Sequence, residues 1–160
     1  MRTSQLSRDI VLARVSNHAS PAPRGNVTAD TTETGGRTGT VLIVDNDSRV
    51  RAALCALIGS SPGLSVAGQA SSRSAAYAAN EALCPDVVVL DILLPSAEDG
   101  LELLSHLAAT GRAVVALSIR EGLRAAAFAA GAVAFVEKYA GPDALLETLR
   151  DVVGRSAGPD

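Results

Sequence analysis

The 160-residue sequence contains no Trp and only two Tyr and two Phe. It lacks any long apolar run, and its formal net charge of −3 is close to neutral. Each scarcity excludes something. Few aromatics and no basic excess argue against a nucleic-acid binder, which usually shows a basic face and stacking platforms. The longest apolar run near the N-terminus is Ile10 to Ala13, too short for a signal-peptide core. No segment approaches the roughly 20 apolar residues of a membrane span, so the chain reads as soluble and cytoplasmic, with no membrane partner. The two cysteines, Cys55 and Cys84, form no Cys-x-x-Cys pair and have no His close by in sequence, which points away from a zinc site or redox motif. Both are expected as buried or half-buried thiols in a reducing cytoplasm.

What is present is aliphatic. Apolar residues make up 48% of the chain, which excludes a collagen-like or wholly disordered polymer. With aromatics so few, the core must be built from Ala, Val and Leu. A chain of this size buries roughly two thirds of its unfolded surface and needs no disulfide or metal to hold a core.

Two regions differ in kind. Residues 16–40 are Ser, Thr, Pro, Gly, Asn and Asp with hardly a large apolar side chain, too little to offset the entropy of ordering. Residues 1–39 are therefore expected to be a disordered or weakly helical tail, with a short helix over Gln5–Val15 where Leu6, Ile10 and Ala13 share a face. Five arginines against Asp9, Asp30 and Glu33 give this tail +2, and the remainder, nine basic against fourteen acidic residues, carries −5.

From residue 40 to 154 short apolar runs alternate with helical periodicity, the signature of βαβ units. The predicted strands are Val41–Val44, Leu64–Ala67, Val87–Leu90, Ala113–Leu117 and Ala132–Val136. The predicted helices are Arg49–Ile58, Ser72–Leu83, Leu101–Ala109, Glu121–Ala130 and Ala144–Val153. Residues 155–160 are expected as a short C-terminal tail. Five such units predict an α/β fold, a doubly wound five-stranded parallel sheet with helices on both faces.

Ligands of such sheets collect at the carboxyl ends of the strands, where strand order reverses. There the sequence places Asp45-Asn46-Asp47 after the first strand, Asp91 after the third, Ser118 after the fourth and Lys138 after the fifth. Acids, a hydroxyl and a lysine at one sheet edge suit a phosphoryl group and a divalent cation. Carboxylates are hard oxygen ligands for Mg²⁺, which keeps several waters. The cation screens a phosphoryl donor from a carboxylate nucleophile. Lysine and serine then take the remaining phosphoryl oxygens. Taken singly, the same residues have plain structural roles: Asp caps helices, Asn favours turns, Phe135 fills a core and Lys138 is a surface charge. Tyr139 is expected at the surface. His18 and His106 have no partner at ligand or triad spacing.

The motifs VLIVDND (41–47), PDVVVLDILLP (85–95), VVALS (114–118) and GAVAFVEK (131–138) resemble, in order and spacing, the receiver domain of bacterial two-component response regulators. The resemblance implies a flavodoxin-like (βα)₅ fold with Asp91 as phosphoacceptor and Ser118 as the hydroxyl switch. It makes Phe135 the aromatic switch and Lys138 the phosphate-contacting lysine. Asp45, Asn46, Asp91 and the Leu93 carbonyl would hold Mg²⁺. Three departures stand out. Asn46 occupies a usually acidic position, so weaker Mg²⁺ binding is expected unless Asp47 turns inward to compensate. The segment PSAEDG (95–100) is one residue longer than usual. The chain ends six residues after Gly154, which gives the expectation of a stand-alone receiver without a DNA-binding domain.

The leading functional expectation is that a histidine kinase or phosphotransfer protein phosphorylates Asp91, and that the protein has no enzymatic role beyond self-catalysed phosphoryl acceptance and loss. Ser118 and Phe135 then shift, and the surface of the fourth helix, fifth strand and fifth helix changes its affinity for an unidentified downstream protein. Alanines 125, 126, 127, 129 and 130 permit close packing there, including a homodimer. Arg120 and Leu93 fall two residues past Ser118 and Asp91, where a bulky Leu93 would shield the phosphoryl group from water. The alternatives are a pseudo-receiver that acts as a constitutive interaction module and, more remotely, an aspartate-nucleophile phosphohydrolase using Asp45.

Overall fold

The computed structural model describes residues 36–158. The tail over residues 1–35 and the helix expected at Gln5–Val15 lie outside them.

Five strands, β1 (Gly39–Val44), β2 (Leu64–Ala70), β3 (Val87–Asp91), β4 (Ala113–Ser118) and β5 (Ala134–Glu137), alternate with α1 (Ser48–Gly59), α2 (Arg73–Leu83), α3 (Ala97–Ala109), α4 (Arg124–Ala129) and α5 (Pro142–Ser156). All neighbouring strands are parallel, in the order β2-β1-β3-β4-β5. This is the flavodoxin-like α/β fold, and its strand order reverses between β1 and β3.

The continuous apolar runs form strands because both sheet faces are covered. Alternate residues point to opposite sides. Leu42, Val44, Val88, Leu90 and Ala116 pack with Ala76 and Ala79 of α2, Leu103, Leu104 and Leu107 of α3 and Ala127 of α4. Val41, Ile43, Val87, Val89, Val115 and Leu117 meet Ile58 of α1 and Leu145, Leu149 and Val152 of α5. Small alanines let α2 lie close to the sheet, and the core is aliphatic as the composition requires.

Element boundaries differ from the sequence reading for identifiable reasons. Helix α3 begins four residues before Leu101, because Ser96 caps it by accepting the Asp99 N–H at 3.2 Å. Glu98 and Asp99 in its first turn suit the helix dipole, though they break the apolar period. The fourth helix opens as a 3₁₀ turn over Glu121–Leu123, leaving α4 only six residues. Strand β5 starts at Ala134, because the N–H groups of Gly131 and Ala132 bond back to Phe128 and Ala127 and close α4. Strand β2 continues to Ala70, its register with β1 slipping by one residue at Ala67. Helix α5 runs on to Ser156, into the expected C-terminal tail.

Cys84 corrects the expectation of a covered thiol: it is exposed, and caps α2 in the left-handed region at φ 44° with Pro85 next. Cys55 is half-buried, and burial pushes its thiol pKa up. At Gly100 it is backbone that excludes a side chain. A Cβ on Gly100 would sit 2.0 Å from the Ile92 carbonyl oxygen, so α3 reaches the β3 end only without a side chain there.

Candidate functional site

The carboxyl ends of β1 and β3 flank the strand-order reversal, and those of β4 and β5 follow along the same side of the sheet. Asp91 ends β3 opposite Leu117, and Ser118 ends β4 opposite Glu137. Asp45 follows β1, its N–H donating to the Ala70 carbonyl at 3.1 Å. Lys138 follows β5, its N–H donating to the Ser118 carbonyl at 2.9 Å. Backbone pairing of the sheet edge therefore places all four residues.

Their side chains converge on one nitrogen. Lys138 Nζ donates to Asp45 Oδ2 at 2.9 Å and to Asp91 Oδ2 at 3.0 Å. The other oxygens are also held: Asp45 Oδ1 accepts the Asp47 N–H at 2.8 Å, and Asp91 Oδ1 accepts the Leu93 N–H at 3.0 Å. Asp45 and Asp91 are 1% and 5% exposed, so the pair is nearly removed from water. Burial pulls the Lys138 pKa down, but hydrogen bonds from its ammonium to both acids and their charges outweigh it and leave the pKa raised. Lys138 stays a cation at neutral pH. One ammonium facing two buried acids leaves acceptor capacity unmatched by positive charge.

Ser118 is fully buried, and its Oγ accepts the Arg120 N–H at 3.0 Å. The Arg120 side chain is exposed and Leu93 half-buried. Phe135 is buried on β5 beside Ala116. Tyr139 is exposed, as expected. His106 lies away from the site on α3, edge-on to Tyr77.

The turn after β1 divides its three polar residues. Asp45 faces inward, whereas Asn46 is exposed. Asp47 caps α1, its Oδ1 accepting the Arg49 N–H at 2.9 Å, with the Arg49 guanidinium 3.4 Å from both oxygens. These bonds hold the Asp47 carboxyl below its ordinary pKa. In this conformation the structure does not bring Asp47 to Asp91, so it supplies no third acid. Among the described residues no three His, Cys, Asp or Glu side chains converge as a metal site. Mg²⁺ is nonetheless commonly held by one or two carboxylates with several waters. Two hard-oxygen acids brought within 3.0 Å of one cationic nitrogen fit that donor set.

Arg51 is one contributor that the sequence reading missed. Its Nη1 donates to the Asp45 carbonyl at 2.8 Å and braces the turn from the first turn of α1. Its only sequence signal is a position one turn into a helix, which does not say where the guanidinium reaches.

Comparison with known proteins gives a consistent answer. The family model described as the response regulator receiver domain matches residues 41–150. A protein-glutamate methylesterase/protein-glutamine glutaminase of Halalkalibacterium halodurans is 34% identical over 119 residues, 71% of this chain and 34% of that protein. The nitrate/nitrite response regulator protein NarL of Escherichia coli K12 is 32% identical over 114 residues, 69% of this chain and 52% of that protein. The chain thus spans about a third to a half of the length of these two curated relatives. The crystal structure of the response regulator domain of Thermotoga maritima CheB superposes with a TM-score of 0.64 at 29% identity, covering 74% of this chain and 98% of that one.

Proposed function

The chain belongs to the response regulator receiver family, and from this we propose that it accepts a phosphoryl group on Asp91 from a histidine kinase or phosphotransfer protein. The observation that carries the proposal is the Lys138 ammonium bridging the buried Asp45 and Asp91 side chains at 2.9 and 3.0 Å.

The Asp91 carboxylate attacks phosphorus, a P–O bond forms, and the P–N bond to the donor histidine breaks. The departing imidazole takes its proton from solvent. The Leu93 N–H orients one Asp91 oxygen, and Lys138 moves from Asp91 to a phosphoryl oxygen while keeping its hydrogen bond to Asp45. Ser118 turns its hydroxyl from the Arg120 N–H to a second phosphoryl oxygen. Asp45, Asn46, Asp91 and the Leu93 carbonyl are the residues that would hold Mg²⁺. When bound, the cation supplies charge neutralisation between the phosphoryl oxygens and the acids. Asn46 is a neutral oxygen donor where an acid would bind better, so weaker Mg²⁺ binding is expected.

One observation favours a second reading, that of an interaction module working without phosphorylation. Asn46 is exposed and Asp47 is engaged on the α1 cap, which leaves two acids at the site. The phosphohydrolase reading gains nothing here, because Asp45 is tied to Lys138 and the turn holds Asp47 away.

Incubation with acetyl phosphate over a Mg²⁺ titration, followed by intact-mass spectrometry, separates the two. A gain of one phosphoryl group that Asp91→Asn abolishes is the expected result. No gain at saturating Mg²⁺ establishes the non-phosphorylated module instead.

A further inference from the structure

An apolar recess of about 480 Å³ opens between α1 and α5, near the carboxyl edge of the sheet. Val50 and Leu54 of α1 line one side, Leu145 of α5 the other, and Leu117 of β4 lies beneath. Ile119 and Tyr139 stand at its rim, 51% and 84% exposed. Two of the four large exposed apolar side chains among the described residues thus surround one opening. Apolar surface gathered in this way marks a contact site.

The sequence upstream of the described residues carries a segment that suits it. Residues 5–15 contain Leu6, Ile10, Val11, Leu12 and Val15, whereas residues 16–38 hold only Val27 beyond alanine. Leu6, Ile10 and Ala13 share a face at helical spacing, the pattern by which a helix lays its apolar side into a groove. Charge agrees. Arg2, Arg8 and Arg14 against Asp9 give residues 1–15 a net +2, residues 16–38 balance, and the part from residue 40 carries −5. At the recess Lys138 is taken up by Asp45 and Asp91, and Glu137 by Arg124. Asp143, next to Pro142 of the α5 side, is exposed and has no ion-pair partner among the described residues.

Reach agrees as well. The chain enters β1 on the recess side of the sheet, because Gly39 lies against the Val153 side chain of α5 and alternates with Val41 and Ile43, which face α1 and α5. From there to the carboxyl edge is the length of β1, six residues or about 20 Å. The 23 residues from 16 to 38 span about 25 Å as a coil. A tether matched to its span holds the segment at about millimolar local concentration, which a second copy in dilute solution does not reach.

We propose that residues 5–15 fold back as an amphipathic helix into the α1–α5 recess of their own chain, seating Leu6 and Ile10 against Leu54 and Leu145 and covering Tyr139. The inference goes beyond the phosphoryl chemistry and does not rest on it.

The chain's two tyrosines make the docking readable. Full-length protein labelled with 3-fluorotyrosine gives two fluorine resonances, assigned by Tyr77→Phe, and a soluble gadolinium chelate reports the exposure of each ring. Tyr77 packs on the other apolar layer and serves as the internal reference. Leu6→Asp combined with Ile10→Asp is expected to raise the relaxation of Tyr139 several-fold, with Tyr77 and the circular dichroism of the sheet unchanged. Ile119→Glu, which charges the rim at a side chain already half exposed, is expected to do the same. Equal Tyr139 relaxation in wild type and the Leu6/Ile10 variant overturns the proposal. A response to the Leu6/Ile10 variant with none to Ile119→Glu overturns the recess as the seat. Wild-type relaxation that stays constant on about hundredfold dilution supports docking within one chain. Relaxation that rises toward the variant's value on dilution assigns the segment to a second copy and overturns it.

Discussion

Lys138 holds together two acids that would otherwise face each other unscreened in a nearly dry pocket. Replacing it by the uncharged Lys138→Met leaves both without their partner. A destabilisation of about 2–3 kcal/mol is expected at pH 7, at or below the low end for a broken buried pair because the lysine side chain is one-fifth exposed. The pH dependence follows from the direction of the shift. The Lys138 pKa is raised in the folded state, so its contribution is complete below the ordinary lysine value of 10.5 and is lost as pH rises through the raised value. Urea titrations at pH 7 and above pH 10.5 are expected to show the difference between wild type and Lys138→Met shrinking on the alkaline side. A difference that stays constant across that range argues against the ion pair as its source. Asp45, Asp91, Ser118 and Lys138 are legible in the sequence because each sits where a strand ends, and a parallel sheet gathers strand ends at one edge. Arg51 is not legible, because it acts from a helix surface through a long side chain whose reach is set only once the helix is docked.

Among the elements, α3 is placed with the least tolerance. It starts within a few residues of Asp91, and its approach depends on Gly100 lying against the Ile92 carbonyl. Gly100→Ala puts a methyl group 2.0 Å from a backbone oxygen that cannot swing aside, so helix or strand end must move. A loss of about 3 kcal/mol or more is expected in thermal or urea unfolding, at the upper end for overpacking. Near-wild-type stability would mean that the β3–α3 connection is looser than its geometry. Just before this contact Ser96 caps the helix. The strands were readable because burial on both faces makes them continuously apolar. The start of α3 was not, because a capped first turn of Ala97, Glu98 and Asp99 looks like a polar loop. The short α4 was missed because alanine suits a helix at every position, and backbone bonds from Gly131 and Ala132 end it earlier than the alanines do.

At the scale of the whole molecule, the two apolar layers share the same five strands. Val41 and Ile43 face α1 and α5 while Leu42 and Val44 face α2 to α4, so neither layer can melt without exposing the other's strands. A single cooperative transition is therefore expected. Circular dichroism and tyrosine fluorescence, to which Tyr77 packed against the α2–α4 layer contributes, should give coincident thermal curves, and curves with separated midpoints would divide the domain into independent layers. The charge split fits this organisation: the −5 of the sheet-forming part includes the acids at its carboxyl edge, and the +2 lies upstream.

The position of β1 also has a consequence in time. It lies in the interior of the sheet, with β2 on one side and β3 on the other, and Val41, Leu42 and Ile43 are fully buried. During synthesis it is the first of the described strands to be made, yet its second neighbour is complete only at Asp91. At roughly 5–20 residues per second this most apolar stretch waits several seconds for its partner. The nascent chain is most vulnerable to aggregation in that interval, so a change that slows translation between Asp45 and Asp91 would reduce yield without touching the finished fold.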